Sequence, residues 1–453
     1  MSEAGYRIWG NVLVGDMTPP IANGVVVTAG ESIAWVGVAD QLPQEHRRAG
    51  LHDIKLPGRT IMPGLIDGHT HISFGEARSE EENALYTPPE FRALRAVWNA
   101  RKVLQAGVTS AFDAATTFNV AQSVRDAIDT GMFEGPRFAV SGKQITNHQG
   151  LEDSFPSNME FPVGQSAVLV KNRDDLIEAV RLQVKDEVDA IKVSGSNDNL
   201  ITPGGADVSA FTFEELKIVA DETHRLDKIC GIHARSRLSA GDAARAKFDI
   251  LFHASYLDDD GIEACLKNGS AIIPTLTLLV NLVDATKGQG NAGASGIAAV
   301  QREIEAASIN LSRAHKAGVP IIAGSESGWS PVPYGQWHAK ELEILVDLLG
   351  LTPLEAIAAG TSGVTRILKR FGDKVGKLEA GRFADILVVN GDPLKDIKLL
   401  QKRSKFDYVI KGGKPVDLTP VPPRTRKWYE RTKIFFADVW SYDEQAGHGV
   451  IAN

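Results

Sequence analysis

Cysteine is scarce: the chain of 453 residues has two, Cys230 and Cys265. That excludes a disulfide framework and leads us to expect a reducing, cytoplasmic setting. No apolar run approaches the ~18–20 residues that a membrane helix requires. The opening residues, Met1-Ser2-Glu3-Ala4-Gly5-Tyr6-Arg7, lack the basic stretch and apolar core of a secretory leader. Positive charge is not in excess either. Lys and Arg total 49 against 57 Asp and Glu, a net charge of −8. The charge is spread along the chain, which argues against nucleic acid as the partner. No Gly-x-Gly-x-x-Gly follows directly on a strand candidate, which removes the main support for a dinucleotide domain. With 43% hydrophobic and 23% charged residues, the chain has the makings of a sizeable core, and a small molecule is the remaining kind of partner.

Three compositional regimes follow one another. Residues 1–57 hold short β-branched and aromatic runs, such as Arg7-Ile8-Trp9-Gly10-Asn11-Val12-Leu13-Val14 and Gly24-Val25-Val26-Val27-Thr28, separated by Gly and Pro, as strands are. Residues 58–370 alternate short apolar strands with amphipathic helices. The strand candidates are Ile61–Asp67, Val108–Ala114, Arg137–Ser141, Ala190–Ser194, Ile229–Ala234, Ile250–Ala254, Ala271–Leu276 and Pro320–Ser325. Eight such units predict an α/β fold, a (β/α)₈ TIM barrel, with an open doubly wound sheet as the alternative. Strand character returns over 371–418, in Ala384–Val389 and Phe406–Ile410. The simplest arrangement is a small β-sandwich built from both chain ends with the barrel inserted. Residues 419–453 are Pro-rich, then basic, then aromatic (Trp428, Tyr429, Phe435, Phe436, Trp440, Tyr442). We expect this extension to pack on the barrel or on a second subunit of a homo-oligomer.

In such a barrel, chemistry sits at the C-terminal ends of the strands. The first strand runs into Asp67-Gly68-His69-Thr70-His71. Side chains at i and i+2 of a strand share a face, so two imidazoles point the same way and form half a metal site. The fourth strand carries Lys192 in an apolar setting, the fifth ends at His233, the sixth at His253, and the eighth at Glu326. Any one of these could be an ordinary buried or loop residue. Together, at one end of one barrel, they point to a metal site.

The chain resembles the amidohydrolase superfamily of metal-dependent hydrolases. The resemblance runs over residues 6–415 and is carried by Met62-Pro63-Gly64-Leu65-Ile66-Asp67-Gly68-His69-Thr70-His71 and by Gly376-Lys377-Leu378-Glu379-Ala380-Gly381-Arg382-Phe383-Ala384-Asp385-Ile386-Leu387-Val388-Val389. Ile191-Lys192-Val193, His233-Ala234 and His253 are most similar to the binuclear, prolidase-like branch. That resemblance implies two divalent cations, zinc before cobalt, manganese or iron. His69 and His71 would bind the more buried ion, and His233 and His253 the other. Lys192, carboxylated by CO₂, would bridge them. The acid after the eighth strand would touch the buried ion and act as general base toward a bridging hydroxide. That acid is normally Asp in the family; here it is Glu326 in Gly324-Ser325-Glu326-Ser327-Gly328.

The reaction expected is hydrolysis of an amide-type C–N bond in an aryl urea, a carbamate or thiocarbamate, or an N-acyl amino acid. A prolidase-like dipeptidase or carboxypeptidase is the alternative, a mononuclear deaminase a further one, and a catalytically silent assembly protein the last. Lys192 counts against the deaminase. His148 on the loop after the third strand, Arg235 two residues after His233, Tyr256 and Trp329 are the candidate substrate contacts. Aromatic and apolar residues near the expected mouth (Phe74, Leu276, Trp337) favour an apolar group on the substrate. His338 is read as a supporting residue rather than a ligand.

Overall fold

The computed structural model describes residues 5–47, 50–148, 150–199, 205–286 and 294–422; from residue 423 on, the aromatic extension lies outside them. Both chain ends share one hydrogen-bonded order of seven strands. Across the sheet these are Lys414–Pro415, Phe406–Lys411, Ile386–Asn390, His52–Pro63, Tyr6–Val12, Ile21–Ala29 and Ser32–Val38. The central strand His52–Pro63 runs parallel to Tyr6–Val12 (Ile8 opposite Ile54) and antiparallel to Ile386–Asn390 (Ile61 opposite Val388). Side chains alternate between faces, as the pleat dictates. Ile386 and Val388 join Ile8 and Ile61 in the core of the sandwich. Leu387 and Val389 turn the other way and join the shell around the barrel.

The chain passes from sandwich to barrel at Gly64. A Cβ there would lie 2.1 Å from Thr109 Oγ1, so a side chain would push the first two barrel strands apart. The sequence pattern merges the two units into one strand, Ile61–Asp67. In the structure Arg59–Pro63 pair with Ile386–Asn390, and the first barrel strand is Leu65–Thr70. The third strand is also broken. Arg137–Val140 pairs with Val108–Asp113, and the chain resumes as Gln144–Thr146 beside Ala190–Ser194. Ile229–Ala234, Ile250–His253 and Ala271–Ile273 continue the parallel order.

Residues 320–325 close the barrel through individual hydrogen bonds rather than a regular ladder. Ile322 N donates to Ile272 O (2.9 Å) on one side, and Gly68 N donates to Ala323 O (2.9 Å) on the other. Inside the barrel lie Ile66, Phe112, Ala190, Ile250, Phe252 and Ile273. Ile191, Val193 and Leu251 point outward to the helices. Lys192 falls between two outward residues and therefore faces the interior. The helices carry local start signals. Thr212 and Glu215 form a capping box ahead of Phe213–Arg225, and Thr352 and Glu355 form another ahead of Pro353–Ala359. Among the described residues no helix is long and apolar enough to cross a membrane.

Gly324 is the tightest point of the closure. A Cβ would meet Ile273 Cγ2 at 2.6 Å, His69 Cβ at 2.7 Å and His69 N at 2.9 Å. Backbone on one side cannot give way, so Gly324→Ala is expected to lower unfolding free energy by ~1–3 kcal/mol, the usual cost of overpacking. Urea unfolding checks this.

Candidate metal centre and substrate cavity

Six side chains converge where the barrel strands end. His69, His71, Lys192, His233, His253 and Glu326 are all buried. Glu326 Oε1 lies 3.1 Å from His71 Nε2, while its Oε2 lies 3.3 Å from His69 Nδ1 and 3.9 Å from His253 Nε2. The rings of His233 and His253 meet edge-on at 4.5 Å between centroids. Lys192 Nζ sits 3.6 Å over the Phe252 ring.

The outer nitrogen of three imidazoles is committed to the protein. His71 Nδ1 donates to Ala115 O (3.1 Å), His253 Nδ1 to Thr275 Oγ1 (2.7 Å) and His233 Nε2 to Asn197 O (3.4 Å). Each such bond fixes a tautomer and leaves the other ring nitrogen with a lone pair facing the cluster. Burial holds His69, His233 and His253 well below the usual imidazole range, helped by the positive charges of Lys192 and Arg235. Burial also pulls the Lys192 ammonium down to about 7, against the opposing pull of Glu326 and Glu152.

The donor set fits divalent cations. Both nitrogens of His69, Nε2 of His253 and Oε2 of Glu326 are buried without a hydrogen-bond partner. Ligand atoms of His69, His71 and Glu326 all lie within 4.8 Å of one another. Orphaned buried polar atoms are costly, and four of them in one place are what a cation would satisfy. The backbone is strained at the same place. His253 (φ +71°), Ala254 (+52°), Thr275 (+52°) and Glu326 (+65°) are non-glycine residues in the left-handed region, as is common at functional sites.

A cavity of about 310 Å³ opens onto the cluster. Its apolar wall includes Phe74, Leu278, Leu282 and Trp329, with Phe74 and Trp329 edge-on at 4.9 Å. Of the expected substrate contacts, Trp329 lines this wall. Arg235 lines the cavity too, but its guanidinium is engaged by Glu303 at 2.6 Å. Tyr256 is outside the lining, half-buried, and held by Asn199. His148 is 67% exposed and pairs with Asp153 at 2.9 Å, away from the cavity. Its loop contributes Leu151 and Glu152 to the lining instead, because the chain turns back toward the barrel after His148. His338 donates from Nδ1 to Asp67 Oδ2 at 2.7 Å.

Several residues of the site escape sequence reasoning. Thr275 sits in a strand end that looks merely apolar. Glu80 belongs to Glu80-Glu81-Glu82, which reads as a solvated charge run, and Glu152 and Asp198 lie in loops without periodicity. Asp67 had a signal, since it stands in the His69–His71 motif.

A family model described as the amidohydrolase family matches residues 60–416. Ochratoxinase of Aspergillus niger is 28% identical over 422 residues, covering 90% of this chain and 85% of that protein. Its crystal structure superposes with a TM-score of 0.81 and 25% identity, covering 92% of this chain and 96% of that one. A Xaa-Pro dipeptidase with methionine bound in its active site gives 0.79 at 25% identity, over 91% and 99% of the two chains. Molinate hydrolase, at 20% identity, shares the fold with a TM-score of 0.76 over 94% of this chain and 99% of its own. With the matched region spanning the barrel and its histidine cluster, the chain belongs to the amidohydrolase family and is a hydrolase of carbon–nitrogen bonds.

Proposed function

We propose that the strand-end cluster holds two divalent cations, zinc foremost, and cleaves an amide-type C–N bond of an aryl urea, a carbamate or thiocarbamate, or an N-acyl amino acid. The observation that carries this reading is the set of orphaned buried donors on His69, His253 and Glu326 beside a buried lysine. His69, His71 and Glu326 form one ligand group, His233 and His253 the other, and Lys192 stands between them. Bound divalent cations supply a Lewis acid for the carbonyl and lower the pKa of water toward neutrality.

The protein's own residues do the rest. The amine of Lys192 adds to CO₂: an N–C bond forms, a proton leaves to solvent, and a carbamate with two oxygen donors results. Glu326 takes the proton of the attacking water and returns it to the leaving nitrogen. One C–O bond forms, the C–N bond breaks, and the proton ends on the amine. Phe74 and Trp329 receive the apolar part of the substrate. Likeness to a Xaa-Pro dipeptidase supports a second reading, a prolidase-like dipeptidase, whose product is an amino acid.

Mass-spectrometric analysis of the metal-loaded protein against aryl ureas, carbamates and N-acyl amino acids tests the reading. Release of an amine or amino acid that stops with chelator is expected. Release unaffected by chelator overturns it. Glu326→Gln is expected to lower kcat by about 10²–10⁴-fold, the usual share of a general base, while metal content by elemental mass spectrometry largely survives; unchanged turnover removes Glu326 as the base. The pH dependence of metal uptake follows from Lys192. Only the neutral amine reacts with CO₂, and a side chain held at about 7 is neutral above that pH. Uptake by apo-protein in bicarbonate is therefore expected to rise through a midpoint near pH 7, and a Lys192→Ala protein is expected to lose that step.

A further inference from the structure

Three carboxylates outside the metal cluster line the same cavity: Glu80, Glu152 and Asp198. They come from three separate segments: the short helix Glu80–Ala84, the loop after Gln144–Thr146, and the turn after Ala190–Ser194. All are more than nine-tenths buried, at 6%, 3% and 7% exposure. Neutral groups hold two of them in place. Gln144 Nε2 and Ser166 Oγ donate to Glu152 at 2.6 and 2.7 Å, and Gln165 Nε2 donates to Glu80 Oε2 at 3.4 Å. Among the described residues, Glu80 Oε1 has no hydrogen-bond partner.

Each of the two arginines that line the cavity pairs with a carboxylate outside this group. Arg78 donates to Glu82 at 2.9 Å, and Arg235 to Glu303 at 2.6 Å. Lys192, on the reading above, becomes an anion. Burial pushes the Glu80 carboxyl well above its ordinary range and Glu152 up to about 7, and the like charge of Asp198 adds to both. Burial without a counter-charge thus keeps these acids from ionising, and Glu80 Oε1 is left without a hydrogen-bond partner among the described residues. A protonated amine reverses both terms, since an ammonium has three donors and a compensating charge.

We infer that Glu80, with Glu152 and Asp198, forms a cation subsite that binds a protonated amine on the substrate, so that the preferred amides carry a positive charge close to the scissile bond. This rests on the hydrolase reading and narrows it: charged amino-acyl amides rank above neutral ureas and above substrates bearing a free carboxylate.

The test compares p-nitroanilides on the metal-loaded protein: glycyl, 4-aminobutanoyl and 6-aminohexanoyl compounds against their acetyl, butanoyl and hexanoyl counterparts. At least one amino member is expected to exceed its neutral counterpart in kcat/KM by about tenfold or more, the scale of a charge-assisted hydrogen bond. In Glu80→Gln that ratio is expected to collapse toward one, and Glu152→Gln, the check should the first variant not fold, is expected to lower it. Calorimetry with n-hexylamine and n-hexanol reads the subsite without hydrolysis. Tighter binding of the amine, lost in Glu80→Gln, sustains the subsite even if no anilide is cleaved; the failure then belongs to the hydrolase reading. Equal binding of amine and alcohol overturns the subsite. So does an amine advantage unchanged in both variants, or loss of a third metal equivalent per chain in Glu80→Gln, which would make the carboxylates a metal site instead.

Discussion

One buried carboxylate holds the site together. Asp67 Oδ1 accepts from His69 N (3.0 Å) and Ser325 N (2.9 Å), and Oδ2 from Ser325 Oγ (2.5 Å) and His338 Nδ1 (2.7 Å). Both oxygens are satisfied, which is what makes burying a carboxylate tolerable. The bonds join the first barrel strand to residues 320–325, where the sheet is least regular. They therefore set the spacing between the His69–His71 pair and Glu326. Tyr334 strengthens the same joint: its hydroxyl donates to His71 O at 2.5 Å and accepts from Gly75 N at 3.0 Å. Asp67 thus adds side-chain bonds to the backbone bonds, Gly68 N to Ala323 O and Glu326 N to His69 O, that join the same two segments.

Burial does chemical as well as structural work here. In water an imidazole and a lysine would share protons with solvent and lie in their ordinary ranges. Inside the barrel, desolvation disfavours the charged forms. His69, His233 and His253 are held neutral, the form in which an imidazole can bind a metal, and Lys192 is brought down to about 7. Carbonyl and hydroxyl partners at Ala115, Thr275 and Asn197 then choose which nitrogen faces inward. The same low-dielectric setting makes an unpaired carboxylate such as Glu80 expensive unless a ligand completes it.

The architecture was largely legible in the sequence, because period-2 strands and period-3.6 helices alternate through the barrel and because strand ends are where a barrel keeps its chemistry. His69, His71, Lys192, His233 and His253 lie on or directly after regular strands, and Glu326 follows an apolar run that closes the barrel without a regular ladder, so their positions could be read from spacing. The cavity wall could not. His148 stands out by residue type alone, yet the loop directs it outward to Asp153 and sends Glu152 inward. Arg235 was placed on the correct face by alternation, but spacing says nothing of Glu303, 68 residues on, which engages it. The break at Gly64 was missed for a similar reason. An apolar run does not reveal that its first half pairs with a strand more than three hundred residues away.

The exchange of the family's Asp for Glu326 can now be judged on geometry. Glu326 takes a left-handed conformation (φ +65°), with its backbone N–H bound to His69 O at 2.8 Å. Both carboxylate oxygens end up against imidazoles, at 3.1 Å from His71 and 3.3 Å from His69. A residue directed only at the substrate would have no reason to lie there. The carboxylate thus lies among the imidazoles, while Glu326 still lines the cavity. That double position is what a group needs if it is to sit beside a cation and move a proton to a leaving nitrogen. The same close approach to His69 crowds Gly324, two residues earlier, where a Cβ would lie 2.7 Å from His69 Cβ.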